Sequence, residues 1–104
     1  MSHYHIVTSQ ILLSYLLTFL PMWTEINNKL TAEFTFEDFV QAWAFMTEVA
    51  MLAERKNHHP EWTNVWNKVA ISLSTHDAGD VVTEKDRKLA DGISKIYERY
   101  QYRT

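Results

Sequence analysis

The chain has 104 residues, 46% of them hydrophobic and 22% charged, which is a length and balance for one globular domain with a single core. Its formal net charge of -3 argues against a general nucleic-acid binder, which would carry a basic surplus. It contains no cysteine, so disulfides, thiolate metal sites and cysteine nucleophiles are excluded, and a reducing cytoplasm is the expected location.

Ile11–Met22 is the one stretch with a membrane or targeting character. It is interrupted by Ser14, Tyr15, Thr18 and Pro21 and falls short of the roughly 20 apolar residues a spanning helix needs. No membrane partner is expected; Ser9–Leu20 reads instead as a first helix ended by Pro21. Trp23–Ile26 reads as a short strand, and Asn27-Asn28 as a turn. Leu30, Ala32, Phe34 and Phe36 alternate with Thr31, Glu33 and Thr35, the period of a strand with one buried face. Thr35-Phe36-Glu37-Asp38 resembles a capping box. Behind it Phe39, Trp43, Met46 and Ala50, widened by Val40 and Val49, recur at helical spacing, predicting a helix from about Glu37 to Lys56. Pro60 stops it.

Thr63–Trp66 and Val69–Thr75 read as two strands joined at Asn67-Lys68, with Val69, Ile71 and Leu73 inward. Ala70, Ser72 and Ser74 form an opposite face of small side chains, against which a flat ligand, or simply solvent, can lie. A second capping box, Thr83-Glu84-Lys85-Asp86, opens a last helix carrying Leu89, Ile93, Ile96 and Tyr100 on one face. The expected architecture is a single α+β domain over residues 1–104, in the order α-β-β-α-β-β-α. It has a four-stranded antiparallel sheet with three helices packed on one face.

Five histidines carry the candidate chemistry. His3 and His5 have H-x-H spacing that suits two metal ligands on a strand, but no further ligands stand nearby. His58 and His59 fall where the long helix must end, so their side chains diverge and chelation of one ion is not expected. His58 is four residues beyond Glu54, a spacing that shares a helix face if the last turn persists, and a carboxylate there would orient the ring. His59 should be extended and point elsewhere. His76 ends a strand on the same parity as Ser72 and Ser74. Two exposed loop imidazoles and a surface one are the bland alternative. Taken together they suggest a general acid/base site, because imidazole titrates near pH 6.5, at about neutrality. No G-x-S-x-G elbow and, with two glycines, no Gly-rich phosphate loop is present.

Glu54-Arg55-Lys56-Asn57-His58-His59-Pro60-Glu61-Trp62, followed by Leu73-Ser74-Thr75-His76-Asp77 and Thr83-Glu84-Lys85-Asp86, resembles the signature of the pterin carbinolamine dehydratases. Leu30, Phe34, Phe36, Phe39, Ala42, Phe45, Met46, Val49, Ala50 and Ala53 occupy the family's apolar pattern upstream. The resemblance runs from about Trp23 to Tyr97; the first twenty residues match only loosely. Asn57 stands where some relatives have Asp, and the loop from His76 to Asp86 looks longer than in many.

The resemblance implies dehydration of a 4a-hydroxytetrahydropterin to the quinonoid dihydropterin, recycling the cofactor of aromatic amino-acid hydroxylases without a metal or other cofactor. It implies His58 and His76 as the acid/base pair and His59 as the group that orients the hydroxyl side. It places Asn57, Ser74, Thr75 and Asp77 against the pterin, with Glu54, Pro60, Trp62 and Asp86 in support. Family members are usually dimers or tetramers, and animal relatives also stabilise the dimer of a homeodomain transcription factor. A protein-binding module or coactivator acting through the face of the Glu37–Lys56 helix is therefore the alternative reading.

Overall fold

Alternation and turn chemistry lay down the sheet, and helix caps aim the chain between layers. A computed structural model describes residues 22–101 and gives the order β1 (Thr24–Ile26), β2 (Lys29–Thr35), α1 (Phe39–Lys56), β3 (Glu61–Val65), β4 (Lys68–Leu73), a 3-10 turn (His76–Ala78) and α2 (Glu84–Gln101). The strands form one antiparallel sheet in the order β1-β2-β4-β3. The α+β class and the four-stranded antiparallel sheet agree with expectation. Two long helices, not three, are found among the described residues; the expected Ser9–Leu20 helix and the His3/His5 pair lie outside them.

Register follows the side-chain period. Leu30 pairs with Leu73, Ala32 with Ile71 and Phe34 with Val69, so one face of the sheet is apolar and lies under both helices. Asn27 and Asn28 both have positive φ, at 52° and 62°, the pattern of a tight two-residue hairpin that asparagine tolerates. The second hairpin turns at Trp66-Asn67, one residue before the expected Asn67-Lys68, so its strands also begin earlier than expected. Side-chain bonds decide this. Asn64 Nδ2 donates to the carbonyls of Trp66 and Lys68 (3.2 and 2.9 Å), and Asn67 Nδ2 donates to Phe36 O (2.8 Å). β4 stops at Leu73, short of Thr75, because the Thr75 N–H turns to Val81 O (2.8 Å).

The core centres on Phe34, which is fully buried and in ring contact with Trp23, Phe45 and Tyr97. α2 contributes Leu89, Ile93, Tyr97 and Tyr100. α1 contributes Ala42, Phe45, Val49 and Ala53, while Phe39, Val40 and Trp43 from the stripe read in the sequence are exposed. The helix is apolar on two sides, and periodicity alone does not say which side meets the sheet. Its N-cap is Asp38 rather than Thr35: the Asp38 carboxylate accepts from Gln41 N at 2.8 Å, with Asp38 itself extended.

The C-terminus of α1 aims the histidines. Asn57 adopts the left-handed conformation (φ 50°, ψ 42°), its N–H bonding to Glu54 O and that of His58 to Ala53 O. These are the two bonds of a Schellman cap, and asparagine is one of the few residues that enter this region cheaply. The cap reverses the chain and turns His58 back towards α2. Asn57→Val should therefore lower unfolding free energy by about 1–3 kcal/mol, while Asn57→Gly stays close to the parent, as read by denaturant titration.

Candidate active site

Three chain segments meet at one end of the sheet: the α1 cap, the β4 exit and the first turn of α2. Between them is a cavity of about 310 Å³ lined by Asn57, His58, His59, Ser74, Thr75, His76, Asp77 and Lys85. The imidazoles from two separate stretches of chain thus open on one space. All seven residues expected to bind or act on a substrate line it, and Lys85 joins them. In the sequence Lys85 stands out only as part of a capping box. Its hint was position, since a residue in the first turn of α2 must border whatever its cap touches.

Behind the cavity wall lies a fully buried carboxylate. Asp86 is 0% exposed, and its Oδ1 is 2.6 Å from His58 Nε2. Its Oδ2 accepts from Thr75 Oγ1 at 2.7 Å and from the Thr83 N–H at 2.9 Å, the latter being one half of the expected capping box. Burial works to raise the Asp86 pKa, but the hydrogen bonds from His58, Thr83 and Thr75 and the attraction of His58 together exceed it, and the net shift is downward from 3.8. An ionised Asp86 accepts only, so the shared proton sits on His58 Nε2. His58 Nδ1 has no hydrogen-bond partner among the described residues, and the side chain is 12% exposed. In the neutral ring it is the basic nitrogen.

The other two imidazoles sit in wetter surroundings. His59 Nε2 is 2.9 Å from Glu54 Oε1, with the two side chains 59% and 81% exposed. Glu54 does not pair with His58, although the four-residue spacing suggests it. α1 ends at Lys56, the four-residue face relation lapses at the left-handed Asn57, and Glu54 meets His59 instead. His76 Nδ1 is 3.1 Å from Asp80 Oδ1 across the 3-10 turn, which Gly79 closes at φ 92°. The Asp80 hydrogen bond first, then the charges of Asp80 and Asp77, raise the His76 pKa above 6.5. Because β4 ends early, His76 leaves the strand parity expected for it.

The small-residue face divides in two. Ser74 lines the histidine cavity, whereas Ala70 and Ser72 line a separate hollow of about 480 Å³, with Thr31, Glu33 and Thr63, on the face away from the helices. Trp62 packs beneath the sheet against the core rather than on the site, and Pro60 separates the histidines from β3. Among the described residues no group of three or more histidine, aspartate or glutamate side chains is arranged to hold a metal. No helix there is long and apolar enough to cross a membrane.

An α+β layer with an imidazole-lined cavity at the sheet end, backed by a buried carboxylate, holds groups that can exchange protons near neutrality. The family model for pterin 4 alpha carbinolamine dehydratase matches residues 7–96, and the chain belongs to that family. It is 47% identical over 87 residues to a Prochlorococcus marinus (strain MIT 9515) protein named "Putative pterin-4-alpha-carbinolamine dehydratase", covering 84% of this chain and 90% of that one. A protein of the same name from Solibacter usitatus (strain Ellin6076) is 54% identical over 74 residues, 71% of this chain and 77% of that one. Among solved structures, a transcriptional coactivator/pterin dehydratase from Brucella melitensis superposes with a TM-score of 0.70 at 38% identity, covering 73% of this chain and 82% of that one. A pterin dehydratase-like protein described as a RuBisCO assembly factor in the alpha-carboxysome gives 0.62 at 26% identity, covering 72% and 88%.

Asp86 ties the stability of this corner to pH. Its folded pKa is depressed, so its contribution is complete above about pH 4 and is lost as pH falls through the folded value. Asp86→Ala should cost about 3–5 kcal/mol at pH 7, because it strands His58 and Thr75 without their acceptor. Denaturant titrations from pH 7 to pH 2 should show the gap between variant and parent narrowing only in the acid range.

Proposed function

We propose that the protein is a 4a-hydroxytetrahydropterin dehydratase in which His76 acts as general acid and His58 as general base. The reaction breaks the C4a–O bond, releases water, removes the N5 proton and leaves a C4a=N5 double bond. The oxygen leaves as water only if it gains a proton, and the electron pair of the N5–H bond forms the new double bond. The observation that carries the reading is that His58, His59 and His76 line one cavity while their partners push them towards different tasks. His76, beside Asp80 and Asp77, is held towards the imidazolium that can donate to the leaving hydroxyl. His58, donating Nε2–H to Asp86, is left with a free Nδ1 that can accept the N5 proton. His59 orients the hydroxyl side, Asn57, Ser74, Thr75 and Asp77 contact the ring, and solvent returns the two imidazoles to their starting states. Glu54 and Asp86 hold rings in place, and the residues present supply both proton transfers without a cofactor. Recycling the pterin of an aromatic amino-acid hydroxylase in the cytoplasm is the physiological setting this assigns.

The exposed stripe Phe39, Val40, Trp43 and Met51 on α1 favours a second reading alongside the first: this helix face takes another copy of the chain. The coactivator and assembly-factor descriptions of the two solved relatives fit a fold that also docks proteins.

Purified protein should accelerate decay of a 4a-hydroxytetrahydropterin followed by its ultraviolet change. His58→Ala and His76→Ala should each lower kcat by about a hundredfold or more. A double variant with full activity would exclude this assignment.

The pH profile tests the acid. Activity that needs protonated His76 falls as pH rises through a pKa lying above 6.5. Asp80→Asn removes the leading cause of that shift, so the alkaline limb should move to lower pH. The oligomer is checked by light scattering: Trp43→Glu should reduce the mass of the assembly and leave the secondary structure seen by circular dichroism intact.

A further inference from the structure

We propose that Thr75 and Thr83 are positioning residues, a hydroxyl relay that holds Asp86 in the one orientation presenting His58 to the cavity as its Nε2–H form. This deepens the dehydratase reading and rests on it for its catalytic consequence, though not for its geometry.

The direction of every proton in the relay follows from the contacts. Thr75 Oγ1 lies 2.7 Å from Asp86 Oδ2 and 2.6 Å from Thr83 Oγ1. A hydroxyl has one proton, and an ionised carboxylate can only accept. Thr75 therefore donates to Asp86, and Thr83 must donate to Thr75. The remaining capacity of Thr83 Oγ1 meets the Lys85 N–H at 3.3 Å, and the Thr83 N–H donates to Asp86 Oδ2 at 2.9 Å. Oδ2 is thereby occupied from two sides, and Oδ1 is left to His58 alone at 2.6 Å. The carboxylate cannot rotate to exchange its oxygens without breaking three bonds. The network joins the β4 exit, the start of α2 and the α1 cap, the three segments that make the cavity.

Thr75 lines the cavity, yet its polar groups are engaged elsewhere. Its N–H donates to Val81 O at 2.8 Å, and its carbonyl accepts from Ala78 N at 3.2 Å and Asp80 N at 3.1 Å. With the hydroxyl given to Asp86 and the side chain buried, Thr75 meets the ring through its carbon surface alone, and its hydroxyl acts through Asp86 and His58. A valine there keeps the shape and removes only the donor.

The test uses the full chain labelled with nitrogen-15. Long-range proton–nitrogen spectra report which ring nitrogen of His58 carries the proton, and steady-state assays run in parallel. In the parent, neutral His58 should appear as the Nε2–H form. Thr75→Val should mix the two tautomers and lower kcat by about ten- to a hundredfold while KM stays near the parent's. Thr75→Ser should restore both readouts, and Thr83→Val against Thr83→Ser provides the same comparison at a position less buried, should Thr75→Val fail to fold. A folded valine variant with the parent's tautomer and kcat, or one that changes KM alone, overturns the relay. If the parent itself does not act on the pterin, the dehydratase reading fails, while the tautomer spectra still decide the relay.

Discussion

A carboxylate with no exposed surface, ionised and bonded on both oxygens, is the constraint around which this corner of the molecule is built. Placing Asp86 in the interior is costly unless each lone pair finds a donor, and the donors come from three different segments: His58 after α1, Thr75 after β4 and Thr83 before α2. Meeting that requirement forces those segments together. The cavity between them is a consequence, and its geometry is as stiff as the network behind it. The Schellman cap at Asn57 serves the same end from the other side, because without the reversal His58 would continue the axis of α1 and miss Asp86.

Three imidazoles on one cavity would be chemically equivalent in water. Here their surroundings grade them, from 12% exposed His58 through 59% exposed His59 to 90% exposed His76. The least exposed ring meets a carboxylate that is held on both oxygens. The outermost ring has its proton favoured by two aspartates, Asp77 on the one-turn helix and Asp80 just past the Gly79 that closes it. On the proposed reading, acid and base stand on different elements, so each environment can be adjusted without disturbing the other.

The apolar surface follows a separate logic. α1 buries Ala42, Phe45, Val49 and Ala53 on the sheet while leaving Phe39, Val40, Trp43 and Met51 exposed, so the helix that ends in the site also carries an unburied stripe along its outer side. On the proposed reading, a copy docked there would brace the helix whose cap holds His58 and His59, coupling assembly to the rigidity of the cavity.

Much of this was legible from residue order. Strict alternation from Leu30 to Phe36 announced β2, the Asn27-Asn28 pair its hairpin, and the run Leu89, Ile93, Ile96, Tyr100 the last helix, because these are local periods and local turn preferences. Family resemblance singled out seven of the eight residues that line the cavity, all of them in the histidine segments. What sequence could not supply was pairing across long separations. Glu54 lies four residues from His58 yet bonds His59, while the carboxylate of His58 stands 28 residues away at Asp86. The inward stripe of α1, the early end of β4 and the place of Lys85 were likewise decided only when distant segments packed. Local steric and hydrogen-bonding preferences are written in neighbouring residues, but which donor reaches a buried carboxylate depends on where three chain ends come to rest in space.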